Sequence, residues 1–159
     1  TSASLLMVSS APFEAAMAPL DSRVATVVFR RFIMRTADKI ARHRRAHALI
    51  TGESVGQVAS QTLKNINLIA RGTRLPILRP LIAMDKLEII NLAQEIDTYE
   101  LSIQPYQDPC SLHARNPATW ARMDDVHSVE EQIDIPALVR ETLDHHLEEI
   151  RITFDPPGE

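Results

Sequence analysis

Three short apolar runs of β character, "SLLMVSS" at residues 4–10, "HALIT" at residues 47–51 and "LPILRP" at residues 75–80, alternate with stretches of helical period. That alternation limits the fold more than any other feature. Strand, helix and strand in succession bury their apolar faces most simply as βαβ units, with helices crossing over a parallel sheet. The expected class is therefore α/β. Three strands are few for a doubly wound sheet, and the first run starts almost at residue 1 without a lead-in element. The reading that follows is a portion of a longer polypeptide whose other strands lie upstream.

At 159 residues and 45% apolar, the chain is sized for one compact domain with a real core. The net charge of −4 conceals a division between a basic segment at residues 23–45 and an acidic tail from Asp124 onward. No apolar run approaches the ~20 residues of a membrane helix, and the N-terminus lacks the basic start of a signal peptide. A soluble, cytoplasmic protein without membrane contact is expected. One cysteine, Cys110, excludes an intramolecular disulfide.

A long helix is expected over residues 21–42. Ala25, Phe29, Ile33, Ala37 and Ile40 project onto one face, and Arg31, Arg35, Lys39 and Arg42 form a second stripe, most simply a solvated face and alternatively a phosphate-binding one. Arg30 borders the apolar face, where a guanidinium needs a carboxylate, a phosphate or an aromatic base as partner. It suits an internal ion pair or a ligand contact equally. The next helix is expected to open at Ser54, with Ser54 and Gln57 as a capping box and Gln57, Gln61 and Asn65 on one face. Gly52 and Gly56 in the preceding turn leave room for a ligand against the helix start, although glycine is also ordinary in tight βα turns. A third helix carries the capping pair Asp85 and Glu88, with Lys86 in its first turn. There Lys86 either points into water or faces a bound anion that offsets its conflict with the helix dipole.

The loop "SIQPYQDPCSLHARNPATW" holds Cys110 and His113 at C-x-x-H spacing. With no second cysteine, this is not a structural zinc pattern, and no metal site is expected. Cys110 is then a loop nucleophile or a small buried hydrophobe. Residues 126–150 read as one helix with Val139, Leu143, His146, Leu147 and Ile150 along an apolar stripe. It is expected to pack on the sheet or on a second subunit, as in a homodimer, before a frayed "DPPGE" end.

Beyond these separate signals, the runs "FRRFIMRTADKIARHRRAHALITGESVGQVASQTLKNI" and "LPILRPLIAMDKLEIINLAQEIDTYELSI" and the loop "PYQDPC" resemble, in order and spacing, one known family. It is the tRNA 4-thiouridine synthetases, also called the thiamine-biosynthesis or tRNA sulfurtransferase family. The likeness is to the C-terminal half of their PP-loop ATP pyrophosphatase domain and covers residues 5–117. It implies an incomplete Rossmann-like parallel sheet flanked by helices at residues 1–117 and a helical extension at residues 118–159.

By that resemblance Arg30, Gly52 and Gln61 contact the adenine nucleotide, Lys86 is a lysine needed for activity, and Cys110 is the reactive cysteine of sulfur transfer. The implied reaction uses ATP with Mg²⁺ to adenylate uridine 8 of tRNA. Persulfide sulfur from a cysteine desulfurase or rhodanese-type donor then replaces O4, in a pathway that also serves thiamine synthesis in some members. The phosphate loop S-G-G-x-D-S does not occur in this sequence, Pro109 stands where many relatives have a second cysteine, and Asp97 where they have glycine. The piece alone is thus not expected to adenylate tRNA. A non-catalytic nucleotide- or tRNA-binding or dimerisation module, and a PP-loop enzyme acting on a small molecule, are the other two readings.

Overall fold

A computed structural model of the chain describes residues 2–20, 22–106 and 116–153. Its centre is the long helix α2 (Ala25–His43), which follows strand β1 (Ser2–Val8) and helix α1 (Ala11–Met17). Position 21, where the sequence placed the start of α2, lies outside the described residues. The buried side of α2 centres on Val28, Phe29 and Phe32, whereas Ile33 is 44% exposed, so the apolar face is rotated from the one expected. Phe13 of α1 is completely buried against this side, its ring 5.1 Å from those of both Phe29 and Phe32.

Two expected strands pair in parallel, as the α/β class requires. They are β2 (Leu49–Ile50) and β3 (Ile77–Leu78), with Leu49 opposite Ile77 and Ile50 opposite Leu78. The connection between them contains helix α3 (Leu63–Ala70), whose buried Ile66, Leu68 and Ile69 join the core. Gly72, just past α3, sits so close to α2 that an added Cβ would lie 2.8 Å from the Met34 Cβ. Helix α4 (Lys86–Glu95) follows β3 with the anticipated capping box, Asp85 accepting from the Glu88 N–H and Glu88 from the Asp85 N–H. A single turn, α5 (Tyr99–Ser102), ends this half.

The first strand departs from the expected three-stranded parallel sheet. β1 pairs antiparallel with a terminal strand, β4 (Leu147–Thr153), in register from Ser2 opposite Thr153 to Val8 opposite Leu147. Residues 126–150 are accordingly not one helix. α6 (Met123–Gln132) and α7 (Ile135–His145) are divided at Asp134, which takes a left-handed conformation at φ 44° and caps α7 by accepting from the Ala137 N–H. Leu147 and Ile150 belong to β4, where alternation of side chains across the strand replaces the helical stripe. Val126, Val129, Ile135 and Val139 close the core against α2.

The basic stripe of α2 is only partly solvated. Arg31 is 2% exposed and donates through Nε to Glu130 of α6 at 2.7 Å, and Arg35 Nη2 donates to the same carboxylate at 3.0 Å. A buried guanidinium is tolerated when a carboxylate takes its N–H groups, and α6 supplies one ninety-nine residues away in sequence. Only Arg42, paired with Asp38 one turn back, and the exposed Lys39 keep the surface role expected for the stripe. Among the described residues, no helix is long and apolar enough to cross a membrane.

Candidate functional site

The carboxyl ends of β2 and β3 continue into two turns that are bonded to each other. The Thr51 N–H donates to the Leu78 carbonyl at 3.0 Å and the Val55 N–H to the Ile82 carbonyl at 3.1 Å. Next to them the Ser54 hydroxyl donates to the Met84 carbonyl at 2.6 Å. Ser54 therefore does not cap a helix. Gly56 has φ +82° and Val58 is extended at φ −143°, which stops any helix from forming until Thr62 caps α3 by accepting from the Asn65 N–H. Of Gln57, Gln61 and Asn65, only Asn65 is in that helix. Gln61 ends a short 3₁₀ turn (Ala59–Gln61), and its carbonyl accepts from the Gly56 N–H at 2.9 Å.

Beneath this rim lies Glu53, 2% exposed. Its Oε1 accepts from Arg30 Nη2 at 3.1 Å, and its Oε2 from Arg79 Nε at 2.7 Å and from the Thr51 hydroxyl at 3.0 Å. Arg30 is thus the internal ion pair that its place on α2 allowed. Its side chain remains 22% exposed. Glu53 and Arg79 were not singled out in the sequence. The only local sign is an acidic residue between two glycines and an arginine directly after a strand; their pairing exists only once β2 and β3 are side by side.

Gly52 is exposed, and a Cβ placed on it would touch only Leu81 Cδ1 at 4.0 Å. Among the described residues no packing demands glycine there. The left-handed Gly56, by contrast, is required by the turn. Two buried polar atoms at this end have no hydrogen-bond partner among the described residues, Gln61 Oε1 and Arg79 Nη2. Lys86 is the exposed first residue of α4, tied to the rim through the Ser54 bond to Met84. Arg30, Gly52 and Gln61 thus gather around one turn, with Lys86 on the segment bonded to it. Cys110 and His113 lie outside the described residues.

The sequence profile described as Thiamine biosynthesis protein (ThiI) matches residues 4–135, most of the chain. The chain belongs to the ThiI family. A probable tRNA sulfurtransferase of Finegoldia magna is 52% identical over 124 residues, covering 77% of this chain and 32% of its own length. One of Coxiella burnetii is 46% identical over 128 residues, covering 80% of this chain and 32% of its own. A crystal structure of a 4-thiouridine synthetase in complex with RNA and bound ATP superposes on 96% of this chain and 40% of its own, with a TM-score of 0.87 and 36% identity. The chain spans about a third of the length of the curated relatives it matches.

Proposed function

We propose that this chain carries the nucleotide-contacting part of a tRNA sulfurtransferase, which adenylates O4 of uridine 8 in tRNA with ATP and replaces that oxygen by sulfur. The observation that carries the reading is the gathering of Arg30, Gly52 and Gln61 at the carboxyl ends of β2 and β3. Ligands of open parallel sheets sit there, and the chain is similar to a 4-thiouridine synthetase solved with ATP and RNA. In this reading O4 attacks the α-phosphate of ATP and pyrophosphate leaves. A persulfide sulfur then adds to C4, and AMP departs with the former O4. Cys110 either bears that persulfide, received from a desulfurase or rhodanese-type donor, and a thiol of the donor then attacks Cys110 Sγ to form a disulfide and expel 4-thiouridine, or its thiolate attacks the donor's sulfur after transfer, forming a disulfide and expelling 4-thiouridine. Lys86 offsets phosphate charge during adenylation.

No group of three or more His, Cys, Asp or Glu side chains among the described residues is placed to hold a metal ion. Mg²⁺ that accompanies ATP is held largely by the phosphates, and no step is assigned to it.

The test uses the chain as its cells make it. Arg30→Ala and Gln61→Ala are expected to weaken ATP binding by roughly tenfold to a hundredfold, the worth of a hydrogen bond to a charged ligand. Cys110→Ser is expected to leave ATP binding intact and remove 4-thiouridine from tRNA. Wild-type ATP affinity in both of the first two variants would overturn the nucleotide assignment, and undiminished 4-thiouridine would take Cys110 out of the reaction. AMP formation without tRNA would favour a small-molecule enzyme, and binding of tRNA or nucleotide with no AMP formed would favour a non-catalytic module.

A further inference from the structure

We infer that Arg79 is a phosphate ligand of this same site, donating from Nη2 to a phosphate oxygen, and that Glu53 is the positioning residue that holds Arg79 and Arg30 together for it. The inference rests on the nucleotide reading above and adds to it two residues on which that reading does not depend.

Three observations lead there. Arg79 follows β3 directly, at the strand end where anionic ligands collect. Its Nε is committed to Glu53 at 2.7 Å, while its Nη2 is buried and without a partner among the described residues. Guanidinium stays charged at every accessible pH, and a buried donor left unpaired costs about 1–3 kcal/mol. Such a donor is retained where a ligand supplies its acceptor. The charge count agrees. Two guanidiniums, Arg30 and Arg79, face one buried carboxylate, so the trio keeps an excess of one positive charge at a place only partly open to water. A phosphate oxyanion answers both the unpaired N–H and the excess charge, and it reaches Nη2 by displacing the groups that cover it, at a side chain that is itself 17% exposed.

Glu53 itself does not face the ligand. Being 2% exposed, with both oxygens occupied by protein donors, it has nothing to offer a phosphate except repulsion at a distance. Its effect is orientation. By taking Arg30 through Nη2 and Arg79 through Nε, it fixes two flexible side chains from α2 and the end of β3 in one arrangement before the ligand arrives. That lowers the ordering cost of binding.

The phosphate belongs either to the nucleotide or to the RNA backbone, and the experiment separates the two. Adenosine, AMP, ATP and tRNA are titrated against the whole native-length protein, wild type and Arg79→Gln, Arg79→Lys and Glu53→Gln. The expected result for Arg79→Gln is a loss of roughly tenfold to a hundredfold for AMP and ATP, with adenosine unchanged within about twofold. Arg79→Lys keeps the charge but cannot reach Glu53 and a phosphate at once, so it should recover only part of that loss. Glu53→Gln should lose affinity in the same phosphate-dependent way. A loss confined to tRNA, with its salt dependence reduced by about one phosphate contact, keeps Arg79 as a phosphate ligand and assigns it to the RNA. Equal losses for adenosine and AMP, or none for any ligand, would overturn the inference and leave Arg79 a structural residue. Should Arg79→Gln not melt cooperatively, Arg79→Lys and Glu53→Gln carry the same comparison. A wild-type protein that binds neither AMP nor ATP, or Arg30→Ala and Gln61→Ala variants that both bind them normally, instead defeats the nucleotide reading, and the tRNA arm then decides Arg79 alone.

Discussion

Glu130 shows how much one side chain can hold. It is 8% exposed and receives Arg31 and Arg35 together, while Arg31 Nη1 also reaches the Leu68 carbonyl, so a single carboxylate links α6, α2 and α3. Burial pushes the Glu130 carboxyl up, but the hydrogen bonds and charges of Arg35 and Arg31 outweigh it and hold the pKa below its ordinary value of 4.5. A carboxyl whose folded pKa is depressed favours the folded state above its unfolded pKa, and that contribution is lost as pH falls through the folded value. Urea unfolding should therefore show stability declining below about pH 4.5. Glu130→Gln, which leaves two arginines without their anion, is expected to cost about 3–5 kcal/mol at neutral pH and to weaken this acid dependence. A neutral-pH loss under ~1 kcal/mol, the size of an exposed pair, would mean that the trio contributes no more than a surface salt bridge.

At the scale of elements, the turn between Gly56 and α3 is kept in place by one amide. Asn65, completely buried, donates through Nδ2 to the carbonyls of Ala59 and Ala118, both at 2.8 Å, and accepts from the Ala121 N–H at 3.0 Å. Thr62 adds a bond from its hydroxyl to the Thr119 carbonyl at 2.8 Å. The turn carrying Gln61 and the segment 116–121 are thereby joined. Asn65→Ala removes three bonds and strands buried backbone groups, for an expected loss of roughly 2–4 kcal/mol in urea unfolding. Asn65→Asp keeps the acceptor for Ala121 but loses both donated bonds, so it should not restore wild-type stability. The expected helix start at Ser54 fails for a reason of the same scale. A capping signature is local, but whether it is used depends on the residues after it, and Gly56 and Val58 both leave helical space. Asp85 and Glu88 meet no such interruption, and their box forms as the pattern predicts.

For the whole molecule, the core is assembled on the buried side of α2, from α1 on one flank to α6 and α7 on the other. Phe13, with no exposed surface, packs with its ring tilted against those of Phe29 and Phe32, and Phe13→Ala should cost about 3–5 kcal/mol; a loss below ~1 kcal/mol in a thermal or urea melt would mean that the aromatic cluster is not where the helices are held. Local pattern in the sequence sufficed for much of this. Alternating apolar runs implied the α/β class and a parallel sheet, a capping pair located α4, and the motif from Gly52 to Gln61 carried the family. These depend on propensities and spacings within a few residues of each other. What only the tertiary structure decided are pairings over long separations: β1 with β4 rather than with β2, Arg31 with Glu130 rather than with water, and Arg30 and Arg79 on the one buried carboxylate of Glu53. A strand's hydrogen-bonding edge and an arginine's fork can accept many partners, so local sequence leaves the choice open, and it falls to whichever group the packing of α1, α2, α6 and α7 brings within reach.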